Sequence, residues 1–225
     1  MGDLLVRGHA EGRLQPTHAV FEVVVEARDP GAQEAALARA GELCAIVDAA
    51  VGRDRRGTDP LIRASETSSI RTAEQWEYAP GGHRRRVGWL AQRGTRIECA
   101  PDASGLTVLV GALAHDGIRV SGPEWHVAPH ATGWDGLRTA AVADAVRRAS
   151  AYAEGVGGRV GAVQWIAEPG LRRGPGAPDD TALPVMRQAS LSMESGQPAD
   201  EPLPVRVSVE PVEVGVTVEV AFDLD

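Results

Sequence analysis

Lysine is missing from this chain altogether, and its 23 cationic side chains are all arginine. That excludes Schiff-base chemistry on a lysine amine and the lysine of a Walker-type phosphate loop. Aromatic residues are scarce, at 4%, so a core has to be assembled from Val, Leu, Ala and Ile. Cysteine occurs only at Cys44 and Cys99. The two form no CxxC and no metal-ligand spacing, so they read as buried reduced thiols, which fits a cytoplasmic protein. No apolar run approaches the roughly 20 residues a membrane-spanning helix needs. The N-terminal "MGDLLVRGHAEG" lacks a basic stretch followed by an apolar one, and a strand pattern starts almost at once. No signal peptide is therefore expected, and "MGDLLV" lacks the Ser or Thr of a myristoylation signal. A positive surplus is also absent. The net charge of −8 and pI near 5.3 argue against a nucleic-acid partner, which wants a basic face. The Ala/Arg-rich, lysine-free composition points to a GC-rich genome.

What is present is a clear alternation of strands and helices. "HAVFEVVVEAR" (18–28) is rich in β-branched residues and reads as a buried strand, with "DLLVRGHA" (3–10) as its hairpin partner. Asp29 and Pro30 stand where a helix N-cap and first position belong, and Gly52 where it would stop. Between them Ala36, Ala40, Leu43, Val47 and Val51 recur at helical spacing. Residues 53–63 read as loop, 66–78 as a strand, "APGGH" as a turn and 84–100 as a second strand, closing a hairpin. The stretch after Pro101 suits a short helix begun by Asp102 or Ser104 and ending near Gly117. "GIRVSGPEWHVA" reads as a strand, a Gly-Pro interruption and a strand. Residues 134–157 form the most regular helix, with Val142, Ala145, Ala149, Tyr152 and Val156 in one stripe, widened by Val146 and Ala153. "RVGAVQWIAE" follows as a strand. From 169 to 204 the chain turns to Pro, Gly, Asp and Ser and reads as a mobile loop, with "LPVMRQASLSM" as a possible short strand inside it. The terminal "VRVSVEPVEVGVTVEVAFDLD" alternates as a strand does, and Pro211 marks an edge or a bulge. The order β-β-α-β-β-α-β-α-β-β predicts an α+β fold, an antiparallel or mixed sheet with helices on one face. It reads as a single domain over 1–225, divisible into 1–100 and 101–225.

The most chemically suggestive stretch is "VSGPEWHVAPH" (120–130). On a helix, His126 and His130 would share a face as zinc ligands do. Pro123 and Pro129 flank them, however, and in a strand positions four apart lie about 13 Å apart. No HExxH surrounds them, so the spacing predicts solvated or hydrogen-bonded imidazoles and no metal site. "GVGGRVG" (155–161) imitates a nucleotide-binding loop. Its order is helix, glycines, strand, whereas the phosphate fingerprint needs strand, glycines, helix, so it reads as a helix cap and turn. There is no GxSxG, and Cys99 has no histidine nearby in sequence. The arginine runs "RDRR" (53–56) and "RRR" (84–86) read as solvated faces of an acidic chain. No catalytic, cofactor-binding or metal-ligating residue is assigned.

Three motifs in order resemble the SIMPL-domain family. The opening "VRGHAEGRLQPTHAVFEVVVEARDP" has the shape of its first strands, "GIRVSGPEW" resembles its central motif, and "AAVADAVRRASAYAEGVGGRVGAV" its late helix and strand. The alternating-valine terminus completes a match over nearly the whole chain. The resemblance implies an α+β fold and, for some relatives, ring-like or channel-like homo-oligomers. It implies no established catalytic residues and no cofactor. Many relatives carry Pro-Asp before the second strand, where this chain has Gln15-Pro16-Thr17-His18, and many are secreted. The resemblance and the missing catalytic constellation favour a cytoplasmic, non-enzymatic, self-associating protein with a scaffold or stress-related role. Gly122-Pro123 then turns the chain, and Trp125 packs the sheet beside the long helix. Two alternatives stand beside this reading. One is a metal-dependent or small-molecule enzyme gathering His115, Asp116, His126 and His130. The other is a module that binds a protein partner through 169–204.

Overall fold

The computed structural model describes residues 2–54, 60–78, 83–171 and 206–225. The element order is β1 (Gly2–Leu14), β2 (His18–Asp29), α1 (Gln33–Asp54), β3 (Ile62–Thr67), β4 (Arg71–Tyr78), β5 (Arg84–Cys99), α2 (Ala103–Ala112), β6 (Ile118–His126), α3 (Trp134–Gly155), β7 (Val160–Ala167) and β8 (Val212–Leu224). The fold is α+β, and every strand pairing is antiparallel. The strand expected over 66–78 is two strands, β3 and β4, both laid along the long β5. The "APGGH" turn, most of the polar stretch after Pro169 and part of the 53–63 loop lie outside the described residues.

The described chain divides into two compact units. One holds residues 16–126 and 206–210, with a sheet ordered β3-β5-β2-β6 and β4 paired to β5. Its core is one face of β2 (Ala19, Phe21, Val23, Val25, Ala27) against α1 and α2. α1 buries Ala36, Ala40, Leu43, Cys44, Val47, Ala50 and Val51, the stripe its spacing predicts. Its ends differ from expectation. Asp29 closes β2, and its Oδ1 accepts from Gly31 N at 2.8 Å and Ala32 N at 2.7 Å, so the helix starts only at Gln33. The helix runs through Gly52 to Asp54, whose carboxylate accepts from Leu61 N and Ile62 N at 3.2 and 2.6 Å. That side chain ties the end of the helix to the start of β3, which a glycine cap could not do. α2 is helical, with Asp102 as N-cap to Ser104 N and Gly105 N. β6 continues through Gly122-Pro123, whose peptide bond is cis, instead of breaking there. The ladder to β2 absorbs the irregularity as a register shift between Val20 and Glu22.

The other unit holds the described residues of 1–15, 127–190 and 211–225. Its sheet is ordered β1-β8-β7. β1 therefore pairs with β8, through an unbroken register from Gly2↔Leu224 to Leu14↔Val212, and not with β2 as chain proximity suggests. β8 is the central strand, so the alternating-valine terminus is not a free edge, and Pro211 precedes its first residue. α3 lies across β1 and β8 and buries Ala141, Ala145, Ala149 and Ala153. The stripe is rotated from the valine and tyrosine line that hydrophobicity alone selects. Val146, Tyr152 and Val156 are exposed at 41%, 60% and 72%. The cause is Gly8 of β1. A Cβ there would overlap the Ala141 carbonyl and sit 2.7 Å from Ala145 N, so sheet and helix backbone touch, and only alanine fits on the helix side. After α3, Gly157 takes a φ of +76° and leads into β7, the helix-glycine-strand order read from the sequence.

Candidate functional site

The sequence singles out the histidines between 115 and 130. His115 and Asp116 are exposed in the connection between α2 and β6, and His126 ends β6. The length of β6 separates them, roughly 26 Å at 3.3 Å per residue. His130 is exposed in a turn closed by Ala131 N donating to Ala128 O at 2.9 Å. The four do not form one constellation, and among the described residues no group of three His, Cys, Asp or Glu could hold a metal ion.

His126 has a partner that the local sequence does not show. It is registered directly opposite His18, the first residue of β2. The rings stack with centroids 5.1 Å apart and planes 10° from parallel. Thr17 fixes the end of the ladder, since its backbone N donates to His126 O at 2.8 Å and its hydroxyl lies 3.0 Å from His18 Nδ1. Arg63 of β3 donates to Thr17 O at 2.8 Å. His126 Nε2 is buried and 3.3 Å from Glu124 Oε1, without hydrogen-bond alignment. Burial holds the His18 pKa below its ordinary value, and the charges of His126, Arg63 and Arg96 push the same way against Glu98. Nitrogen lone pairs lie in the ring planes, so two parallel stacked rings do not converge on one ion. The arrangement is a parallel imidazole stack in which His18 is held against protonation. Trp125, beside it, is half-buried on the core that β2 shares with α1 and α2.

Nucleophilic chemistry finds no support at the cysteines. Both are buried and unpaired. Burial pushes the Cys99 thiol up to about 12 and raises that of Cys44, so neither is a thiolate near neutrality. An open cleft of about 540 Å³ gathers Arg28, Arg39 and Arg119. Glu26 already stands 2.9 Å from Arg119 and 3.9 Å from Arg28, which removes most of its pull on an anion.

The edges of the three-stranded sheet differ in a way that bears on association. An unpaired strand edge offers a row of N–H and C=O groups to any second strand. On β1 the row is interrupted, because Asp144 of α3 reaches over and its Oδ2 accepts from His9 N at 3.0 Å. Arg147 and Arg148 pair with the same carboxylate, which lies well below the usual carboxylate range because of the His9 N–H and these arginines. β7 stands at the other edge. Val163 and Ile166 pair with Phe222 and Val220 of β8, which places them on the face α3 packs against. They are 50% and 52% exposed, whereas Val160, at the start of the same strand, packs against the core under α3. None of these features was legible in the sequence. Asp144 is one of several charged positions along a helix, and the local pattern of a strand does not encode its place in a sheet.

A family model described as "SIMPL: Protein of unknown function (DUF541)" matches residues 4–222. No curated protein matches the chain. Among solved structures, one from Burkholderia cenocepacia described as a "putative amidohydrolase/peptidase" is similar over 61% of this chain, at 18% identity and a TM-score of 0.26. The match covers 35% of that protein's length.

Proposed function

The chain belongs to the SIMPL family, and on that premise we propose that it is a non-enzymatic, cytoplasmic scaffold protein, in stress or otherwise, whose copies join through β7. The observation that carries the reading is the edge strand β7, whose Val163 and Ile166 are half-exposed on the face that α3 packs against. The Asp144 cap on His9 N–H supports it, since it hinders a second strand from adding along β1 and so favours a closed pair over an open-ended ladder. Two β7 strands meeting antiparallel about a two-fold axis would place both α3 helices on one face of a doubled sheet and cover the exposed valine and isoleucine. The compartment is supported by two unpaired buried thiols. Among the described residues, no helix is long and apolar enough to cross a membrane.

The test is absolute mass by light scattering on a size-exclusion column, with the wild type and with Val163→Lys/Ile166→Lys. Both positions are exposed, so the lysines leave the fold intact while charging the edge. A discrete oligomer that the double substitution reduces to monomer is the expected result. A wild type that stays monomeric at tens of micromolar, on the order of the concentrations where stable interfaces are filled, sinks the proposal.

A further inference from the structure

β4 and β5 continue as a two-stranded ribbon beyond the rest of their sheet. β2 ends at Asp29, opposite Trp89, whereas the pairing with β4 runs on to Tyr78↔Arg84. On the distal ribbon Trp76 is 43% and Tyr78 76% exposed. The two side chains are two residues apart along β4, so they share a face at a spacing of about 6.8 Å. The neighbouring strand brings Arg86 opposite Trp76 and Arg84 opposite Tyr78. Arg84 lies diagonally over the Trp76 ring, 4.9 Å from its centroid, and Arg86 lies 5.5 Å from that of Trp89. Arg86 is paired to Glu74 at 3.2 Å, and among the described residues Arg84 and Arg85 make no ion pair.

We propose that this ribbon face binds single-stranded nucleic acid, its bases stacking on Trp76 and Tyr78 and a phosphate meeting Arg84. An extended single strand alternates flat apolar bases with anionic links at a step close to the spacing of the two rings. The ribbon offers parallel rows of rings and guanidiniums one strand apart, about 4.8 Å. Stacking on Trp76 orders the Arg84 guanidinium and leaves its N–H groups free to donate to phosphate. A bilayer surface fits less well. The opposite ribbon face carries Gln75, Glu77 and Arg85, which insertion would strip of water. The acidic balance of the whole chain speaks against general nucleic-acid binding. On this face Glu74 is taken up by Arg86 and Arg84 is the open charge, so the binding is weak and salt-sensitive.

The experiment is fluorescence anisotropy of a short labelled oligothymidylate with the full chain at low salt. Saturable binding is expected, with log K falling against log salt at a slope of about −0.7, as one phosphate contact on a single strand gives. Trp76→Ala/Tyr78→Ala should weaken it at least about tenfold, with the melting curve showing that the variant is folded. Arg84→Gln should flatten the salt slope, and Arg84→Lys should restore it. In the wild type the same binding should quench tryptophan emission, a readout that needs no variant. Three results overturn the proposal. One is no anisotropy change. Another is binding that survives loss of both rings. The third is capture by phosphatidylglycerol vesicles, dependent on Trp76 and Tyr78, with no binding to the oligonucleotide.

Discussion

Substituting Gly8 by alanine tests the account of the three-stranded unit directly. The added methyl would overlap the Ala141 carbonyl and lie 2.7 Å from Ala145 N and 2.8 Å from Ala145 Cβ. Two of those three neighbours are helix backbone, so no rotamer change relieves the contact. α3 has to lift from β1, and the buried Ala141, Ala145 and Ala149 lose contact with Val6 and Phe222. Overpacking of this kind costs about 1–3 kcal/mol, and a backbone obstacle places Gly8→Ala near the upper end, about 3 kcal/mol. At about 2–4 °C per kcal/mol for a chain of this size, the melting temperature falls by about 6–12 °C. The control is Gly41→Ala in α1, where nothing lies within 4 Å of the new methyl. Helix propensity alone then raises stability, by about 0.5–1 kcal/mol. Melting curves by circular dichroism and urea titrations of both variants decide the matter. A Gly8→Ala protein that melts with the wild type would show that β1 and α3 are not in backbone contact and would remove the reason given for the alanine stripe.

Asp144→Ala strips the cap from His9 N–H and leaves Arg147 and Arg148 without their carboxylate. Light scattering should then show association beyond the wild-type species, through a newly opened β1 edge. The lowered pKa of His18 means that the unfolded chain takes up a proton before the folded one does. The stabilisation is complete above the ordinary value of 6.5 and is lost as pH falls from there through the folded value. The melting temperature should therefore drop below about pH 6.5 more steeply in the wild type than in His18→Gln. Thiol titration with an aromatic disulfide should find Cys44 and Cys99 silent in the native protein and both reactive in denaturant, because each thiol is buried and its pKa raised.

By itself the sequence determined the class of fold, the element types and the family, because each rests on a local signal. Periodicity placed α1 and its buried stripe, Asp102 announced α2, and the glycines after residue 155 announced a turn and a strand. It also determined that lysine chemistry is excluded. Tertiary structure alone decided which strands pair. β1 and β2 are separated by Gln15–Thr17, yet they lie in different sheets, because the thirteen-residue match of β1 with β8 joins the two ends of the chain. It decided which face of α3 is buried, since Gly8 selects the smallest side chains over the most hydrophobic. It also decided the partner of His126. The sequence offered His130, four positions along, but the antiparallel ladder of β2 and β6 brings His18 opposite. Spacing along a chain predicts neighbours only within one element, and the histidine stack and the two sheet edges arise between elements, where packing and strand register set the distances.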